Sequence, residues 1–283
     1  MGDDTATLRG SPKLTAAAAP AASLDNPFFA RIWPYVASHE VEAIRALRRE
    51  NLAGLSGRVL EIGAGIGTNF ALYPDSVEQV MAIEPEPRLA ARASAAATAT
   101  RIPVVVIRET AEVFSAGQPF DAVVCSLVLC SVNDPALVLR RLHSLLPPGG
   151  QLRYLEHVAS AGARGRLQRF ADATLWPRLL GNCHTHRDTE RAILDAGFEV
   201  DTSRREWTLP AWAALPVSEL VLGRARRPYI SARLAQQSGQ SLQQPGQCLA
   251  RGLAQTEGGA AGQRCGFGVD LDHRCAAGQC QFR

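Results

Sequence analysis

Lysine is nearly absent from this chain: of 30 basic residues only Lys13 is lysine, and the rest are arginine. The arginines form no concentrated stripe and the net charge is only +3, so nucleic acid is not an expected partner. Long apolar runs are missing too. No stretch of about 18 uninterrupted apolar residues exists, which argues against a membrane-spanning helix. The first residues, MGDDTATLRGSPKLTAAAAP, lack the basic start and apolar block of a secretory signal. Ala6 stands where myristoylation requires Ser or Thr. A cytoplasmic protein is therefore expected. Cysteine is sparse and odd in number, seven residues with no C-x-x-C pair, so neither a disulfide framework nor a zinc site is supported and no metal is expected. Cys125 and Cys130 read as small buried hydrophobes. In the tail, Cys248, Cys265, Cys275 and Cys280 with His273 match no ligand spacing.

What is present is a globular composition, 46% hydrophobic and 20% charged, organised around Arg58–Phe70, RVLEIGAGIGTNF. Val59, Leu60 and Ile62 predict a short buried strand, after which Gly63, Gly65 and Gly67 supply positive φ or a bare backbone where a ligand comes close. Glycine is missing where a dinucleotide fingerprint needs it, because Thr68 follows Gly67 and the spacing is G-x-G-x-G. The acid before the turn, Glu61, suits a cationic ligand better than a pyrophosphate. A second strand, Gln79–Ile83, ends in Glu84-Pro85-Glu86. An acid at that place, about 20 residues beyond a glycine turn, can accept both hydroxyls of a ribose.

The rest of the chain alternates strand and helix. Residues 1–25 read as a disordered leader, and Asn26-Pro27 opens order. Phe28–Leu52 has helical periodicity broken at Pro34 and at Ser38-His39. Pro87–Thr98 predicts a helix, Pro103–Ile107 a third strand, Phe120–Leu129 a fourth, Pro135–Leu146 a helix and Gln151–His157 a fifth strand. Arg164–Leu180 reads as one inserted helix leading to the polar run Gly181–Thr189, and Glu190–Ala196 as a helix closed by Gly197. Glu199–Trp207 and Leu220–Arg226 then pair antiparallel across a connection from Pro210 to Pro216. This order predicts an α/β, doubly wound sheet of five parallel strands plus an antiparallel sixth and seventh pair, with N-terminal helices. Residues 26–230 form the folded domain, and 231–283 read as a disordered Gln/Gly-rich tail.

The glycine turn resembles motif I of the class I S-adenosylmethionine-dependent methyltransferases, and the resemblance spreads over about 26–228. It rests on VLEIGAGIGTNF, Tyr73-Pro74, Ile83-Glu84-Pro85, Ala111-Glu112, FDAVVCSLVLCSV, Pro148-Gly149-Gly150, Glu156-His157 and WPRLLGNCHTHRDT. The last of these are similar to methyltransferase-like protein 7 relatives within the methyltransferase type 11 group. The resemblance implies a Rossmann-like fold and S-adenosyl-L-methionine as cofactor. It places Glu61, Gly63, Ala64, Gly65, Asn69, Glu84 and Pro85 at that cofactor. Ala111 and Glu112 fall where the family reads the adenine, Ser126 and Leu127 are also placed at the cofactor, and Ser126 and Ser131 lie near the end of the fourth strand where the methyl group would be presented. Animal members carry an N-terminal apolar anchor and methylate small thiols, and no such anchor is seen here. The expected activity is methyl transfer to a small-molecule acceptor, with a thiol as one candidate. A quinone, lipid or other carbon, nitrogen or oxygen centre is the alternative, and so is a protein that binds the cofactor without turnover. If a general base is used, His157 and His184 are the candidates. In this reading Glu84→Ala weakens the cofactor and leaves the fold alone.

Overall fold

The computed structural model describes residues 25–209 and 215–229. The leader, the tail with its cysteines, and residues 210–214 of the Pro-bearing connection lie outside the described residues. Asn26 caps the first helix, α1 (Pro27–Ser38), its side chain accepting from the Phe29 amide at 3.0 Å. After it comes α2 (Glu42–Leu52). The expected break at Ser38-His39 is present, but the one at Pro34 is not: α1 runs through it. Proline removes one amide and disfavours the preceding turn. Here the Asn26 cap and the Phe29–Trp33 stack, 5.4 Å between ring centroids, hold the helix before the proline, and the His39 amide donating to the Tyr35 carbonyl at 3.1 Å continues it afterwards.

The sheet follows as β1 (Gly57–Ile62), β2 (Val77–Ile83), α3 (Pro87–Ala97), β3 (Val104–Ile107), β4 (Ala122–Ser126), α4 (Pro135–Leu145) and β5 (Gln151–His157). Then come α5 (Gly162–Asp172), α6 (Trp176–Leu179), α7 (Thr189–Asp195), β6 (Glu199–Trp207) and β7 (Glu219–Arg226). The strand order is β3-β2-β1-β4-β5-β7-β6, with β7 antiparallel to both β5 and β6 and the first five strands parallel. The winding reverses between β1 and β4. Ligands of open α/β sheets bind beyond the strand ends at such a reversal.

Strand alternation sorts β1 onto two cores. Leu60 and Ile62 pack with Phe120, Val123, Leu139 and Tyr154 on one face, and Val59 with Leu52, Phe70 and Val80 on the other. Each fully buried side chain of this size contributes about 1.5–3 kcal/mol. β4 is buried along its whole length, as a central parallel strand must be. No helix among the described residues is long and apolar enough to cross a membrane.

Two expected elements change shape. The fourth strand stops at Ser126 rather than Leu129, because Leu127 takes φ +60° and the chain turns out of the sheet. The amides of Val128 and Leu129 instead donate to Glu156 Oε1 on β5, both at 3.0 Å. The inserted helix is two, α5 and α6. It ends at Asp172, whose carboxylate accepts from the amides of Thr185 and His186 at 2.7 and 2.9 Å and so ties the polar run to the helix end.

Candidate active site

The glycine turn leaves β1 at the switch point with φ values of +68°, +58° and +82° at Gly63, Gly65 and Gly67. Gly63 and Ala64 donate to the Ile83 carbonyl at 2.8 and 3.0 Å, which ties the turn to the end of β2. A side chain cannot be added here. A Cβ on Gly63 would sit 2.4 Å from a Val128 methyl carbon, and one on Gly65 2.8 Å from Trp33 Nε1.

Glu84, at the end of β2, closes the turn from the other side. Its Oε2 accepts from the Gly65 amide at 2.8 Å and its Oε1 from the Glu86 amide at 3.0 Å. Burial pushes the carboxyl up to about 7, with those two amides pulling it down and the neighbouring Glu86 and Glu61 charges adding to the rise. Glu86 caps α3 through the amides of Arg88 and Leu89, both at 2.8 Å.

These residues border a cavity of about 390 Å³. That is within the range of small-molecule and cofactor sites. Phe29 and Trp33 of α1 line it, as do Gly63, Gly65, Glu84 and Pro85, then Thr110, Ala111 and Glu112 after β3, and Ser126, Leu127 and Cys130 after β4. His157 ends β5, and Leu180–Cys183 precede α7. From β2 to β5 is three strand spacings, about 14 Å, so the cavity crosses the centre of the sheet. The Ser126 hydroxyl is buried in this lining with no hydrogen-bond partner.

Of the residues expected at the cofactor, Gly63, Gly65, Glu84, Pro85, Ala111, Glu112, Ser126 and Leu127 line the cavity. Glu61, Ala64 and Asn69 do not. The Glu61 side chain lies behind the turn, where Oε1 accepts from Asn69 Nδ2 at 2.9 Å and Oε2 from the Tyr73 hydroxyl at 2.8 Å. Asn69 Oδ1 accepts from Arg48 at 3.1 Å, and Arg48 is paired with Glu40 at 2.9 Å. Burial pushes Glu61 up to about 7 against those hydrogen bonds and the Arg48 charge. The acid before the turn therefore braces it rather than facing a ligand. Ala64 is buried among Val59, Phe70 and Val80.

The two histidines also part. His184 borders a separate hollow with Asp172 and Arg178, and its ring is lowered below the ordinary histidine value by burial and by Arg187. Its backbone, not its ring, serves the cavity: the His184 amide donates to the Cys130 carbonyl at 2.8 Å. His157 does line the cavity, and its Nδ1 lies 3.4 Å from Cys130 Sγ and 3.6 Å from Cys183 Sγ. Burial pulls the imidazole down, but the Cys130 sulfur and the Glu156 carboxylate outweigh it, and the net shift is upward. The Cys183 contact and burial push the Cys130 thiol well above its usual range. Cys130 is thus more than a packed hydrophobe. It and Cys183 were missed because they are 53 residues apart, although the adjacency of β4 and β5 already brings Cys130 to His157.

A strand order of 3-2-1-4-5-7-6, a glycine turn at the switch point and an acid at the end of the second strand define a class I, S-adenosylmethionine-dependent methyltransferase. The site fits that cofactor: the turn leaves no room for a Cβ, Glu84 keeps lone pairs beyond its two amide bonds, and the Ser126 hydroxyl is unpaired. The chain belongs to the methyltransferase-domain family, whose model matches residues 35–203. It is 35% identical over 184 residues to the thiol S-methyltransferase TMT1B of Mus musculus, covering 62% of this chain and 74% of that protein. A ubiquinone biosynthesis O-methyltransferase of Xanthomonas euvesicatoria is 32% identical over 136 residues, 46% of this chain and 56% of its own. Among solved structures, the N-methyltransferase NodS of Bradyrhizobium japonicum, in complex with S-adenosyl-L-homocysteine, superposes with a TM-score of 0.52 at 18% identity. That match covers 72% of this chain and 90% of NodS.

Proposed function

We propose that this methyltransferase acts on a small thiol, with Gly63, Gly65, Glu84, Pro85, Ala111, Glu112, Ser126 and Leu127 holding the methyl donor. When bound, S-adenosylmethionine supplies a methyl group on a sulfonium, open to in-line displacement. The protein's share is position. Glu84 offers its remaining lone pairs to ribose hydroxyls, and Ser126 offers an unpaired hydroxyl beside the turn after β4. Fixing the nucleophile in line can lower the barrier by up to about 7–11 kcal/mol.

The acceptor reading is carried by the wall built from the segments after β4 and β5 and before α7. Val128, Val132 and Leu180 make it apolar, and its titratable groups are Cys130, Cys183 and His157, with no carboxylate among the described residues there. An alcohol or phenol would call on a base to take its proton, and the Nδ1 of the one imidazole present is engaged with two sulfurs. A thiol, with a pKa near ~8.5, already supplies a few per cent thiolate at neutral pH. An apolar wall avoids over-solvating that anion. The relative named as a thiol S-methyltransferase supports the same acceptor class.

The test is a methyl-transfer assay over small alkyl and aryl thiols, a quinol and an amine. Methyl thioethers are the expected products; turnover of the quinol or amine with none on any thiol would overturn the reading.

A further inference from the structure

The cavity holds a second constellation, whose geometry does not follow from cofactor binding. Cys130 Sγ and Cys183 Sγ are 3.6 Å apart, and His157 Nδ1 is 3.4 Å from the first and 3.6 Å from the second. All three ligand-type atoms lie within 4.8 Å of one another. Zinc bonds of about 2.3 Å to sulfur and 2.0–2.1 Å to nitrogen span tetrahedral edges of about 3.8 Å between two sulfurs and about 3.6 Å between sulfur and nitrogen. The three observed edges match that face to within about 0.2 Å. A disulfide would need the sulfurs at about 2.05 Å, and the two cysteines are free.

The three residues are also held from behind. Arg187 Nη1 donates to the carbonyls of Leu129 and Val132, fixing the chain on both sides of Cys130. The His184 amide holds the Cys130 carbonyl, and the Cys183 amide donates to Leu180 at 3.1 Å. His157 is the last residue of β5, in a strand paired on both sides. Two thiolates and a neutral imidazole would balance a divalent ion, so the site carries no net charge into an apolar wall. Three protein ligands with a fourth position left open is the arrangement of reactive rather than structural zinc.

We propose that Cys130, Cys183 and His157 form a three-ligand site for a thiophilic divalent metal ion of the zinc class, its fourth position opening into the cavity to take the acceptor sulfur. Cys130 and Cys183 each give up a proton as the ion binds. An acceptor thiol entering the fourth position releases its proton to solvent and is held as a thiolate beside the methyl donor's end of the cavity. The sequence-based expectation of no metal came from the absence of a local ligand spacing; here the ligands come from three separate segments. The fourth-position role rests on the thiol reading above, whereas the metal site does not.

The experiment uses the full chain with Cys248, Cys265, Cys275 and Cys280 all replaced by Ser and His273 by Gln, so that the tail contributes no cysteine or histidine ligands. After equilibration with zinc and gel filtration, metal analysis is expected to find one zinc per chain, lost in Cys130→Ser and in Cys183→Ser. Cobalt in its place is expected to give sulfur-to-metal charge-transfer bands and tetrahedral ligand-field bands, and added 2-mercaptoethanol is expected to shift the latter. The cobalt spectrum needs no variant to fold beyond the tail substitutions. No retained metal, or metal unaffected by both substitutions, overturns the site. Ligand-field bands indifferent to thiol, or thiol methylation at an unchanged rate after zinc is stripped, overturn the open fourth position. Metal binding with turnover only of non-thiol acceptors overturns the thiol reading while leaving the metal site in place.

Discussion

Glu84 is the residue whose replacement separates the most ideas. Seen only as the acid at the end of β2, it should weaken the cofactor without touching the fold. Its hydrogen bonds say otherwise, because Glu84→Ala leaves the Gly65 and Glu86 amides without their acceptors. A buried donor left unsatisfied costs about 1–3 kcal/mol. Both amides border the cavity, where water can replace part of the loss, and removing the carboxylate relieves its repulsion with Glu86 and Glu61. The expected net cost is about 1–3 kcal/mol. For a domain of this size, that lowers the melting temperature of the unliganded protein by about 3–10 °C. Glu84→Gln keeps one acceptor oxygen and should cost roughly half as much. Cofactor affinity should fall at least tenfold in Glu84→Ala, about 1.4 kcal/mol. A pH signature accompanies it. The carboxyl ionises near 7, so in competition with a proton the wild-type affinity should be about tenfold weaker at about pH 6 than at about pH 8, and Glu84→Gln should be flat over that range. Stability of the unliganded fold runs the other way. A carboxyl raised in the folded state contributes stability below about 4.5, and that contribution is lost as pH rises through about 7. Isothermal titration of the three proteins at the two pH values, beside their melting curves, decides the matter. A pH-independent wild-type affinity, or full affinity in Glu84→Ala, refutes the ribose contact. An unmoved melting temperature refutes the role of Glu84 in holding the turn.

Three further changes probe other parts of the site. Tyr73→Phe removes the hydroxyl that donates to Glu61 at 2.8 Å and should raise that carboxyl further. A loss of about 1–2 kcal/mol is expected at about pH 8 and a smaller one at about pH 5, where Glu61 is protonated, read from urea titrations at both. Gly65→Ala puts a Cβ 2.8 Å from Trp33 Nε1 at φ +58°, so it should cost about 1–3 kcal/mol and abolish measurable cofactor binding by calorimetry. Gln168→Ala removes a fully buried amide that accepts from Ser160 at 2.7 Å and donates to the Val158 and Pro216 carbonyls, each at 3.0 Å. It should destabilise by about 2–4 kcal/mol in denaturant titration, while cofactor affinity in the folded fraction is unchanged.

Much of the fold is legible in the residues because its period is local. Gln151–His157 and Glu199–Trp207 are strands with the bounds that alternation and flanking turn residues suggest. Glu84 is legible too, because its place follows from counting beyond a glycine turn. What escapes is set by partners far away in the chain. Leu129 looks like strand until the Glu156 carboxylate draws its amide out of the ladder. Arg164–Leu180 looks like one helix until Asp172 is claimed by Thr185 and His186. Glu61 looks like a ligand-facing acid because motif spacing records its position and not its direction, whereas Tyr73, Asn69 and Arg48 decide the latter. Cys183 could not be linked to Cys130 by any spacing rule, since β5 and the three helices α4, α5 and α6 intervene before the chain returns.

The relay from Glu61 through Asn69 to Arg48 and Glu40 also ties the glycine turn to the helix that precedes the sheet. An acid with 2% exposure cannot be enclosed charged without its donors, and one of them depends on a guanidinium that arrives with α2. Sheet formation alone thus leaves the glycine turn unfinished. The glycine turn and the docking of α2 are therefore coupled through Asn69, so a change in the helix before the sheet reaches the cofactor cradle without touching it.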